Sequence, residues 1–186
     1  MRSPSIPGFS WRRVVAAMGI ICLLAFLAAS VGWQGKSRLK EVSVPEAGFA
    51  AQMPGSPEKE ARDIDGRHVT AFAVKEEDGG FSVLYADGPK LTNPTKAELR
   101  DHFEQWRKNF AADTDAKVKQ DRDADLDGKY PGHFWEIEIT GKPIKIQIRA
   151  ILANGKTYVL VVTGLSSWNG WADAETFFKS FRLLSR

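Results

Sequence analysis

The sequence predicts an α+β domain, an antiparallel β-sheet with two main helices packed on it, preceded by one N-terminal transmembrane helix. Three observations predict it. Apolar residues alternate with polar ones in segments separated by tight-turn residues, the pattern of half-buried strands. Apolar residues recur at steps of four, three and four in one stretch, the pattern of a helix with a single buried face. Residues 14–33, from Val14 to Trp33, carry no charge.

That run is long enough to cross the hydrocarbon core of a bilayer as a helix. Trp11 and Trp33 stand at its ends, where indole rings favour the membrane interface, and Arg12 with Arg13 abuts its start. Ala28, Ala29 and Ser30 also fit the small-residue site of a cleavable signal peptide, so anchor and cleaved signal both stay open. Lys36, Arg38 and Lys40 follow the run and nearly match Arg2, Arg12 and Arg13 before it. With the amino terminus added, the charge balance favours a single pass with the C-terminal domain extracytoplasmic. The expected organisation is a short cytoplasmic N-terminus at 1–13, a transmembrane helix or signal anchor at 14–33, a polar linker at 34–47 and one domain at 48–186. The lipid bilayer is thus the first expected partner.

Three of the 26 Lys and Arg residues precede the run and all 23 Asp and Glu follow it, so the charges behind it balance. A neutral domain offers no electrostatic footprint for a phosphate backbone, which argues against nucleic acid as a partner. The single cysteine, Cys22, lies inside the apolar run, so no disulfide can staple the domain. Gly19, Ile20 and Ile21 before it do not make the small-residue approach that an acylated cysteine needs.

Within the domain, Phe49 to Met53 reads as a short strand stopped by Pro54-Gly55-Ser56-Pro57. His68 to Val74 and Phe81 to Tyr85 read as a hairpin around the turn-forming cluster Glu76-Glu77-Asp78-Gly79-Gly80. Leu99, Phe103, Trp106 and Phe110 define the helix face. Asn93-Pro94 marks its start, Thr95 with Glu98 fits a capping box, and the helix should end near Ala112. Trp135, Ile137 and Ile139 alternate with Glu136 and Glu138, and Ile144, Ile146 and Ile148 alternate with Lys145, Gln147 and Arg149. Both are half-buried strands.

Asn154-Gly155 supplies the two residues most tolerant of positive φ in a type I′ turn. It leads into Tyr158 to Val162, which is apolar at every position and therefore predicts a central strand covered on both faces. Ala172 to Leu184, with Phe177, Phe178 and Phe181, predicts a closing amphipathic helix.

Phe49, Met53-Pro54-Gly55-Ser56-Pro57, Leu126-Asp127-Gly128-Lys129-Tyr130-Pro131-Gly132, Arg149, Tyr158 and Phe177-Phe178-Lys179-Ser180-Phe181-Arg182-Leu183 together resemble the PsbP-like superfamily. The chain looks most like its small exported or membrane-anchored bacterial members of unknown function. The likeness runs from about Phe49 to Leu184 and implies an α/β/α sandwich. That superfamily includes a photosystem extrinsic subunit and a nuclear-import factor that binds a small GTPase. The resemblance therefore implies a non-enzymatic scaffold put to different binding uses, and it carries no functional residue across.

The residues themselves offer few candidates for chemistry. Asp123, Asp125, Asp127 and Gly128 match the opening of an EF-hand loop, but Phe134 stands where the closing bidentate Glu is needed and Pro131 interrupts the second half. A solvated acidic turn is the better reading, with weak calcium binding the alternative. His68, His102 and His133 show no metal-ligand spacing. Gly164-Leu165-Ser166 lacks the second glycine of a nucleophile elbow, since Trp168 occupies its place, and no Gly-Lys-Ser/Thr phosphate loop is present. No catalytic, cofactor-binding or metal residue is expected.

Trp168 and Trp171 bracket a polar turn. If exposed they could contact a protein partner or a sugar face; otherwise they fold back onto the sheet or the last helix. Trp106 and Trp135 fall on predicted core faces. The expected function is a non-catalytic, membrane-tethered extracytoplasmic interaction or scaffold domain with a protein partner. A small-molecule or glycan binder using Trp168 and Trp171, and an enzyme of unrecognised type, are the alternatives.

Overall fold

A computed structural model describes residues 38–64, 67–89, 94–111 and 115–185. The predicted span at 14–33, Cys22, the Asn93 cap and the Phe110 side chain lie outside the described residues. Among the described residues no helix is long and apolar enough to cross a membrane.

The element order is β1 (Lys40–Val44), β2 (Phe49–Met53), β3 (Glu58–Ile64), β4 (Arg67–Glu76), β5 (Gly79–Asp87), α1 (Lys96–Ala111), β6 (Ala116–Asp123), β7 (Gly132–Ile139), β8 (Ile144–Ala153), β9 (Lys156–Leu165), α2 (Trp171–Ser180) and β10 (Arg182–Leu183). Seven strands form one antiparallel sheet in the order β3-β4-β5-β9-β8-β7-β6, and β1, β2 and β10 form a second, smaller one. β9 is the middle strand of seven and is buried from Thr157 to Val162, as its unbroken apolar run requires.

Each face of the large sheet has its own core. On one side Trp135, Ile137, Ile139, Ile148, Val159 and Val161 pack with Phe103 and Trp106 of α1. Trp135 faces Ile148 and Ile137 faces Ile146 across β7 and β8, so the two predicted stripes meet on the same face. On the other side Phe72, Phe81, Val83, Leu160 and Val162 pack with α2 and the small sheet. Phe49 of β2 is the hub there, with ring centroids 5.7 Å from Phe72 and 5.7 Å from Phe181. The Tyr158 hydroxyl donates to Ala47 O at 2.9 Å, tying the small sheet to the central strand through a buried hydrogen bond. The layers are α1, the large sheet, then α2 with the small sheet.

Local signals set the element ends. Thr95 N donates to Glu98 Oε2 at 2.8 Å while Glu98 N donates to Thr95 Oγ1 at 3.3 Å, which is the capping box before α1. Asn154 and Gly155 have φ of 52° and 73°, the two positive values that a type I′ turn between β8 and β9 demands.

Two expectations are corrected. The linker read at 34–47 contains a strand, since Lys40 to Val44 pairs residue by residue with β2 and the domain starts with it. Charges at Lys40 and Glu41 masked it, yet an edge strand with one solvated face accommodates them while Val44 is buried. The closing helix stops at Ser180 because Phe181 turns to extended backbone (φ −64°, ψ 127°), letting Arg182 and Leu183 pair with β2. The edge strand β6, which ends at Asp123, has almost all its side chains exposed.

Candidate functional site

The Trp168 indole is buried, with 6% of its surface exposed, against Phe81 at a centroid distance of 5.2 Å. Glycine makes this possible. A Cβ on Gly79, Gly164 or Gly170 would stand 2.6, 2.6 and 2.2 Å from ring atoms of Trp168, so three glycines form the slot that the ring fills. Trp168 is therefore a core residue, folded back onto the sheet as the alternative to an exposed contact had it.

Trp171 is partly exposed. Its Nε1 donates to Leu165 O at 2.7 Å, and Lys145 Nζ lies 4.0 Å from the ring centroid, a cation–π contact that covers one face. The two indoles meet edge to face at 5.5 Å rather than opening a slot for a sugar ring.

The loops around this pair are stitched together. Leu165 N donates to Asp78 O at 2.8 Å and Ser166 N to Pro143 O at 2.8 Å, joining the β4–β5 turn, the β7–β8 turn and the loop before α2. Arg38 reaches the same end, with Nη1 3.0 Å from Glu76 Oε1 and Nε 3.4 Å from Asp173 Oδ2 in the first turn of α2. Composition gave no hint of this pinning, because Arg38 sits among the other cations that follow the apolar run.

At the opposite end of the sheet, residues 124–132 fold as a closed turn. Leu126 and Tyr130 exchange backbone hydrogen bonds, and Asp127 and Gly128 adopt φ of 55° and 63°. Asp125 Oδ1 accepts from Gly132 N at 3.1 Å, while Asp123 Oδ1 faces His133 Nδ1 at 3.2 Å. The carboxylates of Asp123 and Asp125 thus point to separate protein partners. No group of three His, Cys, Asp or Glu placed to hold a metal ion occurs among the described residues. Arg149 clamps the turn: its guanidinium donates to Ala124 O at 3.1 Å, Asp125 O at 2.7 Å and, in α2, Phe178 O at 3.1 Å. Burial pushes Arg149 down from its ordinary pKa, and the nearby Arg122 adds to this.

The histidines are dispersed. His102, on α1, is buried and shares a 2.8 Å hydrogen bond with Thr157 Oγ1 of β9. Burial first, then the charge of Arg67, lowers its pKa to about 4, so it is neutral at pH 7. His133 is buried, with Nε2 against Asp121 Oδ1 at 2.5 Å. His68 is exposed, with Nδ1 3.0 Å from Asp63 Oδ1 across the β3–β4 pair.

An open cleft of about 380 Å³ lies at this end, lined by Arg67, His68, Asp87, Gly88 and Pro89. It brings together a guanidinium, an imidazole and a carboxylate.

No family model and no curated protein matches the chain. Among solved structures it is similar to cyanobacterial PsbP (CyanoP) from Synechocystis sp. PCC 6803, at 18% identity and a TM-score of 0.55, covering 83% of this chain and 98% of that one. A protein of unknown function from Pseudomonas aeruginosa aligns at 9% identity and a TM-score of 0.44, covering 76% and 92%. The domain has the PsbP-like fold that its turns and its last helix suggested.

Proposed function

We propose that the chain is a non-catalytic binding or scaffold domain, tethered by residues 14–33 as a single membrane pass and carried on the extracytoplasmic side. The observation that carries the non-catalytic reading is where the reactive side chains go. His102 is bonded to Thr157, His133 to Asp121 and Asp123, Arg149 to three carbonyls and Asp125 to a backbone amide. Groups so engaged hold the fold, and a binding domain needs no more from them. The tether is supported by the uncharged run with Trp11, Arg12 and Arg13 before it and Trp33 at its end. The sidedness is supported by the three arginines and the amino terminus ahead of that run.

Membranes from cells expressing the chain with a C-terminal tag test both parts. The tag should stay in the pellet after alkaline carbonate washing and should be digested when protease is added outside spheroplasts. Release into the carbonate supernatant would refute the tether, and a protected tag would refute the sidedness. Chemical crosslinking in the same membranes should join the domain to a defined second protein, and a hydrolase activity surviving purification would count against the scaffold reading.

A further inference from the structure

We infer that the loop end of the domain, formed by the β4–β5 turn, the β7–β8 turn and residues 165–171, rests on the headgroup layer of the membrane that holds the tether. The cleft end then points away. This inference rests on the tether proposed above and adds which surface meets the lipid.

The argument is one of reach. Lys40 is fixed by pairing with Met53, and Arg38, two residues before it, bonds to Glu76 and Asp173 at the loop end. From Trp33 to Lys40 the chain takes seven steps, and even fully extended it covers only about 24 Å. The ten-residue strands β8 and β9 carry the sheet about 33 Å from the loop end to the Asn154–Gly155 turn. A tether shorter than that span cannot let the molecule invert.

The surface suits a hydrated interface. Glu77, Lys142, Ser166, Ser167 and Asn169 are exposed there, and the partly exposed Trp171 carries Lys145 across its ring. Indole and lysine are side chains that settle at headgroup depth, while the mixed charges give no strong attraction to anionic lipid. The tether, rather than lipid affinity, sets the orientation.

The test uses the full chain in nanodiscs of phosphatidylcholine and phosphatidylglycerol that include a nitroxide-headgroup lipid. In a Cys22→Ala background, a fluorophore is attached through Ser167→Cys at the loop end or Lys129→Cys at the cleft end. The Ser167→Cys label should be quenched several-fold more strongly. Inserting about twenty Gly/Ser residues between Gln34 and Gly35 should erase most of that contrast, because such a linker is flexible and longer than the domain. Equal quenching at both positions in chains that co-elute with the discs would overturn the orientation. A contrast undiminished by the insertion would overturn tether length as its cause. A chain that elutes apart from the discs would instead refute the tether itself, and the orientation with it.

Discussion

A methyl group at Gly170 has nowhere to go, since its Cβ would stand 2.2 Å from Cζ2 of the Trp168 indole and 2.4 Å from Cε2. The backbone there is ordinary, with φ of −62°, so the conflict is with the ring alone. Gly170→Ala should therefore cost about 1–3 kcal/mol as an overpacked core position. In a Trp168→Leu background, where the ring is gone, the same change should add little, giving a coupling of at least about 1 kcal/mol in a urea double-mutant cycle. A second residue-scale prediction concerns His102. Its pKa of about 4 in the fold lies below the ordinary 6.5, so the unfolded chain binds more protons between those values. Stability is complete above pH 6.5 and falls as pH drops toward 4, by up to about 3 kcal/mol from this one group. His102→Gln keeps a polar partner for Thr157 but does not titrate, so its urea midpoint should change less between pH 7 and pH 4.5 than that of the parent. An equal decline in both proteins would assign the acid sensitivity elsewhere. At this scale the sequence was only partly readable. Trp168 and Trp171 stood out as a pair around a turn, but the slot that buries one of them is built by Gly79 and Gly164, which sit on different strands and meet only through the β5–β9 pairing.

Elements whose ends are marked by local chemistry were readable, and those whose signal is tertiary were not. Thr95 and Glu98 announced the start of α1, and Asn154-Gly155 announced the β8–β9 hairpin, because capping and positive φ are decided within a few residues. The same locality makes a prediction. Gly155 has φ of 73°, with nothing within 4 Å of an added Cβ, so Gly155→Ala suffers backbone strain and no clash. It should cost about 1 kcal/mol or slightly more, and Gly155→Asn should recover part of that in thermal unfolding, because Asn tolerates the left-handed region. β3 and β6, by contrast, read Glu-Lys-Glu-Ala-Arg-Asp-Ile and Ala-Lys-Val-Lys-Gln-Asp-Arg-Asp, and no apolar alternation identifies them. They are the two edges of the large sheet, where each strand borrows its ladder from one neighbour. Charge on such edges discourages pairing with another chain, which is why the sequence looks like loop where the backbone is strand. β10 was hidden differently. Arg182 and Leu183 continue the apolar spacing of α2, and only their pairing with Ala50 and Phe49 makes them extended.

On the scale of the molecule, the small sheet decides where the domain begins. β1 covers an edge of β2, places Val44 in the core with Phe49 and Met53, and brings Val42 against the same cluster. A chain starting at Lys36 should thus fold with all its layers intact, whereas one starting at Glu46 should lose the β1–β2 ladder and expose apolar surface of β2. Burying a valine side chain is worth about 1.5–3 kcal/mol, so the shorter chain should be less stable by at least about 3 kcal/mol. The ion pairs of Arg38 do not carry that difference. They are solvent-accessible on the Arg38 side, and exposed pairs contribute about 0–1 kcal/mol. Arg38→Ala in the longer chain separates the two effects: its urea midpoint should stay close to that of the parent, while removal of residues 36–45 should shift it strongly. If the chain starting at Glu46 unfolded at the same midpoint as the longer one, β1 would be an accessory strand and the domain would begin near Gly48, as the charges before it had suggested. If Arg38→Ala alone reproduced the full loss, the end of the tether would be holding the fold through its ion pairs, and the shortness of the link to residue 33 would bear on stability as well as on orientation.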